Sequence, residues 1–253
     1  MHSAHPHPAP PSPTPTPDGP PVVLDRRDGP HGEVVLRRHG ALLQIIANGC
    51  FLMDTSDGRS ERLLVDAALD TLDDRPAPAL LLGGLGVGFS LARAAAEPRW
   101  GRITVVEREA AIIGWHGLPA PGGTGPDAPG APTAPFADIT ARALADPRTE
   151  VLHEDLRTHL HTAAVRYDAL CLDVDNGPGW TVTEDNDGLY TPAGLAACRS
   201  RLTPGGVLAV WSAQPSPEFE TALRDAGFQA VHTREIPVAR GVPDAVHLAV
   251  GPA

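Results

Sequence analysis

The most constraining feature of the sequence is a glycine cluster between an apolar strand and a helix. The apolar run at residues 79–84 (ALLLGG) predicts a strand buried on both faces, and residues 89–96 predict a helix. A further strand at residues 102–107 (RITVVE) ends at Glu107. Glycines at such a junction let the chain turn sharply and let a ligand approach the backbone. The cluster consists of Gly83, Gly84, Gly86 and Gly88.

Strands and helices continue to alternate after this unit. Apolar runs at residues 150–152, 169–174 and 207–211 predict buried strands, with helical segments between them. Such alternation is typical of a doubly wound, Rossmann-like α/β fold with a mainly parallel sheet. Two last strands, near residues 230–236 and 245–250, are separated only by a loop, which predicts one antiparallel strand at the end.

Composition divides the chain into three parts. Residues 1–21 are rich in Pro and His, and we expect a disordered tail there. Residues 22–58 should form a small antiparallel β-unit, because Asn48-Gly49 is a strong hairpin signal between apolar runs. Residues 59–253 should form the α/β domain. Within it, the Pro/Gly-rich residues 118–135 predict a flexible surface insertion.

The charged residues exclude several classes of protein. The 20 basic residues are all arginine, and 31 acidic residues give a formal charge of −11. A chain without lysine cannot be a Schiff-base or pyridoxal-phosphate enzyme, and it cannot contain a Walker A loop. An acidic chain without a basic stripe is not expected to bind nucleic acid.

The apolar runs and the cysteines indicate a compartment. No apolar run approaches the roughly 20 residues that span a bilayer, and the N-terminus lacks the pattern of a secretory signal. The 3 cysteines are odd in number and never spaced as C-x-x-C. We therefore expect reduced thiols in a cytoplasmic protein with no membrane partner.

Acids at successive strand ends are candidates for holding a nucleotide. Glu107 lies about 20 residues after the glycines, where an acid can accept hydrogen bonds from ribose hydroxyls. Asp155 follows the third predicted strand, where an acid can meet an adenine amino group. Alternatively, Glu107 is a solvated strand end and Asp155 is a helix N-cap. We favour the nucleotide site because the strand ends occur in the expected order. No metal is predicted, since His159 and His161 should face different sides of a helix.

The spacing GG-x-G-x-G differs from the G-x-G-x-x-G of dinucleotide sites, and the terminal strand pair suits a methyltransferase-like sheet. With these features the chain resembles the spermidine synthase (polyamine aminopropyltransferase) family, which has the class I S-adenosylmethionine-dependent methyltransferase fold. The resemblance runs from about Val34 to Val250. Its motifs include Asn48-Gly49, the glycine loop, Glu107, Glu154-Asp155, Tyr167-Asp168, Asp173, Gly177-Pro178, Leu189-Tyr190 and residues 202–208.

The resemblance implies a transferase in polyamine biosynthesis or a related pathway. S-adenosylmethionine or its decarboxylated form would be the co-substrate, and an amine-containing small molecule would be the acceptor. Glu107 would hold the ribose and Asp155 the adenine, with the four glycines and Leu156 around them. Asp173 matches the catalytic aspartate, since a carboxylate beside an amine can accept its proton during attack on the carbon next to a sulfonium. The implied acceptor-binding residues are Asp175, Asn176 and Tyr190.

The sequence also departs from the family pattern on the acceptor side. Gly86 stands where the family has an acid for the amino group of the aminopropyl arm. The segment after Asp173 is two residues shorter before its Gly-Pro pair. Other family positions are changed to Leu52, Glu61, Trp211 and Ala213.

These departures leave alternatives open. One is a small-molecule methyltransferase on the same fold, and another is a non-catalytic paralogue that binds an adenosyl nucleotide. Asp173 and Asp175 could also be a polar strand end that caps the next turn. The acceptor stays unidentified, and the resemblance is compatible with a homodimer.

Overall fold

The computed structural model describes residues 19–119, 134–182, 186–238 and 241–253. Most of the tail predicted at residues 1–21 and most of the insertion predicted at residues 118–135 lie outside the described residues. The described residues form two sheets, one small and antiparallel and one large and mixed.

The small sheet is an antiparallel meander at the N-terminal end. At its third turn, Asn48 and Gly49 both have positive φ, at 49° and 78°, as a tight hairpin turn requires. Asn48 also accepts a hydrogen bond at Oδ1 from the Glu33 N–H at 3.0 Å, which ties this turn to the neighbouring strand. The strands are β1 (Val22–Gly29), β2 (Gly32–His39), β3 (Leu42–Ala47) and β4 (Cys50–Asp54).

The large sheet has seven strands in the order β10-β11-β9-β8-β5-β6-β7. Strands β5 to β9 are parallel, and β11 is antiparallel to both β9 and β10, as the sequence predicted. The strands are β5 (Ala79–Gly83), β6 (Arg102–Glu107), β7 (Thr149–His153), β8 (Tyr167–Leu172), β9 (Leu202–Ser212), β10 (Gln229–Ile236) and β11 (Asp244–Val250). The predicted doubly wound α/β fold is confirmed.

Helices cover both faces of this sheet, and the reason is visible in β5. Leu80 and Leu82 pack into one apolar cluster while Leu81 packs into the other, because alternate side chains of a strand point to opposite faces. With both faces apolar, polar side chains are left to the strand ends. The helices are α1 (Arg59–Thr71), α2 (Phe89–Ala96), α3 (Ala110–Trp115), α4 (Ala137–Leu144), α5 (Leu156–Thr162), α6 (Asp187–Tyr190), α7 (Pro192–Arg201) and α8 (Pro217–Asp225).

The N-terminal sheet shares its core with the α/β domain. Leu36 of β2 and Ile45 of β3 are fully buried in the same cluster as Leu64 of α1. This packing holds the small sheet over the carboxyl ends of the parallel strands, where the next subsection locates a cavity.

Candidate functional site

A cavity of about 610 Å³ lies between the N-terminal sheet and the carboxyl ends of the large sheet. It lies where strand order reverses around β5, with β6 on one side and β8 on the other, which is the usual ligand position in such sheets. Its volume is within the range of small-molecule sites. Three strand-end acids line it, namely Glu107, Asp155 and Asp173.

The first part of the glycine loop is fixed between two strands. The Gly84 N–H donates to the Val106 carbonyl at 3.0 Å, and the Asp173 N–H donates to the Gly83 carbonyl at 2.9 Å. Gly84 has φ 95°, and a Cβ there would lie 2.6 Å from the Asp173 carbonyl oxygen. Gly84 lines the cavity, whereas the buried Gly83 is not part of its lining. Glycine at position 84 is thus required by the close approach of β8.

The second part of the loop is held by a buried histidine that the sequence did not single out. The His116 Nε2–H donates to the Gly86 carbonyl at 2.9 Å, and the Thr140 hydroxyl donates to His116 Nδ1 at 2.8 Å. Burial lowers the pKa of His116 to about 4, so the ring is neutral near pH 7. Gly86 lines the cavity, whereas Gly88 caps α2 and packs against Thr140.

Glu107 joins the end of β6 to the glycine loop. Its Oε2 accepts from the Leu85 N–H at 2.9 Å and its Oε1 accepts from the Glu109 N–H at 2.8 Å. Burial raises the pKa of Glu107 although both hydrogen bonds act to lower it. Each carboxylate oxygen can accept a second hydrogen bond, so the side chain could also meet two ribose hydroxyls.

Asp155 fits both of the roles considered from the sequence. It is the N-cap of α5, and its Oδ1 accepts from the Thr158 N–H at 2.9 Å. It also lines the cavity together with Leu156. The cap uses one oxygen, so Oδ2 can accept a hydrogen bond from a ligand.

Asp173 comes directly after β8 and lines the same cavity as a second acid, Glu61. The Ser90 hydroxyl lies 3.5 Å from Asp173 Oδ2 and 3.4 Å from the Glu61 carbonyl oxygen. Burial, followed by the negative charge of Glu61, raises the pKa of Asp173 to about 8. The group that the sequence selected as catalytic is therefore a carboxyl that titrates near neutral pH.

Glu61 and Asp244 line the same cavity. The sequence analysis named Glu61 only as a departure from the family pattern, and it did not name Asp244. Glu61 is 6% exposed and accepts from the Ser60 hydroxyl at 3.0 Å. Burial, with the charges of Asp244 and Asp57, raises the pKa of Glu61, and burial likewise raises that of Asp244. A signal existed for Glu61, which lies on the buried stripe of α1.

Neither Glu61 nor Asp173 forms an ion pair with any described arginine or histidine. The nearby Arg59 pairs instead with Asp57 at 2.7 Å. Two buried carboxyls without a cation raise each other's pKa and favour any positive group that enters between them. The electrostatics of this half of the cavity therefore suit a cationic ligand.

The remaining predicted acceptor residues occupy different positions. Asp175 and Asn176 line the cavity, and Asp175 Oδ2 accepts from Asn186 Nδ2 at 2.8 Å. Tyr190 is not part of the lining, since its ring packs edge-on against Phe219 and its hydroxyl donates to a carbonyl at 3.4 Å. Contact between Tyr190 and an acceptor would require the cavity wall to move.

Met53 occupies the space beside Gly86. The Val87 N–H donates to the Met53 sulfur at 3.2 Å, and a Cβ at Gly86 would overlap that sulfur. The thioether thus stands where the family resemblance expects an acidic side chain.

Within the part of the chain that the structure describes, no helix has the length and apolar character needed to cross a membrane. No group of three His, Cys, Asp or Glu residues there is arranged to hold a metal ion.

The sequence matches no family profile. Polyamine aminopropyltransferase 2 of Pseudomonas aeruginosa is 42% identical over 72 residues, which is 27% of this chain and 19% of that protein. The alignment therefore spans about a fifth of the relative's length.

Solved structures define the class of fold. An N-methyltransferase, NodS from Bradyrhizobium japonicum with S-adenosyl-L-homocysteine, is similar with a TM-score of 0.51 at 16% identity, covering 78% of this chain and 90% of that one. The fold is therefore the class I methyltransferase-like α/β fold.

Within that class, the structure is similar to spermidine synthases. One, in complex with the transition-state analogue AdoDATO, has a TM-score of 0.69 at 15% identity and covers 90% of this chain and 73% of that one. Another, from Thermotoga maritima, has a TM-score of 0.65 at 13% identity, with coverage of 90% and 72%. The resemblance to spermidine synthases stated from the sequence is thus confirmed for the fold.

Proposed function

We propose that the protein transfers an alkyl group from an adenosyl sulfonium, S-adenosylmethionine or its decarboxylated form, to an amine-containing small molecule. The observation that carries this proposal is the composition of a single cavity. Glycine-loop and strand-end residues able to hold an adenosyl group line one part of it. The carboxyls of Glu61 and Asp173, which form no ion pair among the described residues, line another.

Hydrogen bonds hold the loop and the strand end on the nucleotide side of the cavity in place. Glu107 is fixed by two backbone N–H groups, and Gly86 is fixed by His116. A site held in its binding geometry loses little conformational entropy on binding. This arrangement supports the assignment of Glu107 to the ribose hydroxyls and of Asp155 to the adenine.

The acceptor side supplies a proton acceptor. An ammonium entering the cavity is held by the carboxylates, and the Asp173 carboxylate takes one of its protons, which frees the nitrogen lone pair. The neutral amine then attacks the carbon next to the sulfonium, and the C–S bond breaks as the N–C bond forms. The adenosyl group leaves as a neutral thioether, and the positive charge passes to the nitrogen of the product. A pKa of about 8 suits Asp173 to this exchange near neutral pH.

One observation favours methyl transfer as a second candidate function. Because Met53 fills the space beside Gly86, no carboxylate stands there to hold the ammonium of an aminopropyl arm. Methyl transfer does not need that contact, so S-adenosylmethionine itself remains a candidate co-substrate.

The nucleotide product distinguishes the two reactions. The full-length protein should be incubated with each co-substrate and a panel of amines, and the products identified by mass spectrometry. Methylthioadenosine would show aminopropyl transfer, and S-adenosylhomocysteine would show methyl transfer. Calorimetry with both compounds tests binding directly, and failure to bind either would overturn the proposal.

Asp173→Asn tests the assigned role. The rate should fall about 10²–10⁴-fold, the usual scale for a general base, because the charge is removed while the shape is kept. Affinity for the adenosyl ligand should change only a few-fold. Loss of that affinity would instead make Asp173 a ligand of the nucleotide or a structural residue.

A further inference from the structure

The order of the strands separates the cavity into two halves. Glu107 and Asp155 come from the ends of β6 and β7, on one side of β5. Asp173 follows β8 and Asp244 begins β11, on the other side, which we call the acceptor half. Glu61 reaches this half from the first turn of α1. All three acids of the acceptor half line the cavity.

Apolar side chains flank these acids. Ile236 of β10 pairs directly with Asp244 of β11, so the two side chains share a face of the sheet. Trp211 of β9 pairs with Val246, two residues along from Asp244 on that same face. Ile236 and Trp211 both line the cavity. The carboxyl group of Asp244 is thus bordered by an aliphatic and an aromatic side chain.

The mouth of the cavity carries the exposed aromatic residues. Trp180 is 57% exposed and Phe51 is 47% exposed, and both line the cavity. They come from different parts of the chain. Phe51 belongs to β4, and Trp180 ends a turn in which its N–H donates to the Gly177 carbonyl at 3.1 Å. Large aromatic groups exposed at the rim of a pocket gain free energy when a ligand covers them.

The cavity therefore offers both a region of carboxyls and a region of exposed aromatic side chains. A linear polyamine has no bulky apolar body with which to cover Phe51 and Trp180. An amine with one charged end and an apolar body matches both regions. We propose that the acceptor is an amphipathic amine, with an aromatic or bulky aliphatic body that packs against Trp180, Trp211 and Phe51. This inference rests on the proposed function, because it names the acceptor class of that same site.

The test compares acceptors that differ in body but share a primary amine. With whichever co-substrate is active, kcat/KM should be at least about tenfold higher for tryptamine or phenethylamine than for putrescine, since burying an aromatic ring contributes on this scale. Trp180→Ala should lower kcat/KM for tryptamine about tenfold through KM, and should change it for putrescine less than twofold. Val165→Ala removes an exposed apolar side chain outside the cavity lining and should change neither value.

The possible failures are distinguishable. Turnover of putrescine with equal or higher kcat/KM than the aromatic amines would overturn the inference and leave the proposed function intact. Absence of a nucleotide product with every amine would overturn the proposed function. In that case calorimetry with methylthioadenosine present decides the inference, because equal affinity for tryptamine and putrescine would overturn it. A loss of tryptamine turnover in Val165→Ala equal to that in Trp180→Ala would also overturn it.

Discussion

Glu61 and Asp173 lie 112 positions apart in the chain, yet the charge of Glu61 is second only to burial among the causes that raise the pKa of Asp173. The two carboxyls enter one cavity from the first turn of α1 and from the end of β8. The effect of the Glu61 charge on the pKa of Asp173 can be measured directly.

Glu61→Gln should move the pH dependence of catalysis. Without the negative charge of Glu61, the pKa of Asp173 falls from about 8, because its ionised form is no longer opposed. The acidic limb of the profile of log kcat/KM should therefore shift to lower pH. Glu235→Gln, at an exposed position of β10, is the matched control and should not shift it. An unchanged limb in Glu61→Gln would show that the two carboxyls do not interact.

Stability should decrease as pH rises toward 8. The folded state raises the pKa of Asp173 above its unfolded value near 4, so between these values the folded chain binds more protons than the unfolded chain. The slope for one such proton is about 1.4 kcal/mol per pH unit. Denaturant unfolding at several pH values measures it, and Asp173→Asn should remove much of the slope. A slope identical to that of the wild type would contradict the shifted pKa.

Gly86→Ala should destabilise the protein for two separable reasons. Its φ of 51° costs an L-residue about 1–2 kcal/mol, and the added Cβ overlaps the sulfur of Met53. Met53→Ala removes only the overlap, so Gly86→Ala should cost less free energy of unfolding in that background. A double-mutant cycle by chemical denaturation gives the difference. Strict additivity would mean that Met53 does not cover Gly86 in solution.

Glu107→Ala should weaken binding of methylthioadenosine by about 1.5–3 kcal/mol, the usual range for hydrogen bonds to a charged group. Isothermal calorimetry is the measurement, and Glu150→Ala at an exposed position of the neighbouring β7 is the control. Since Glu107 also holds the Leu85 N–H, Glu107→Gln should be included to separate the lost charge from a loosened loop. Wild-type affinity in both Glu107 variants would remove this residue from the site.

The large sheet could be predicted from the sequence because its strands are apolar on both faces and its glycine loop is unmistakable. Strand β1 could not be predicted, since Val22 and Val23 are both 50% exposed and its remaining residues are mainly polar. The positions of Glu107 and Asp155 at the cavity could also be predicted, because Glu107 ends β6 and Asp155 lies two residues after β7. Tyr190 was predicted as an acceptor residue, but its ring packs against Phe219 and is not part of the cavity lining.

The acceptor side was less accessible because its residues converge only after folding. Glu61 stands in a helix that precedes the glycine loop, and Asp244 stands at the start of the last strand. Asp244 belongs to no motif with fixed spacing. Position 61 was marked by the family resemblance, but only as a departure from the family pattern. Its place on a buried helical stripe indicates burial rather than proximity to Asp173.

The order of the strands, which divides the cavity into two halves, affects how the acceptor specificity of such a protein can evolve. Residues that would hold the adenosyl group depend on β5 to β7, whereas those that would meet the acceptor depend on β8 to β11 and on α1. Under the proposed function, substitutions at Trp211, Ile236 or Asp244 should alter the choice of acceptor while the donor stays bound as before. Directed evolution of new acceptor ranges could then be confined to one side of the sheet.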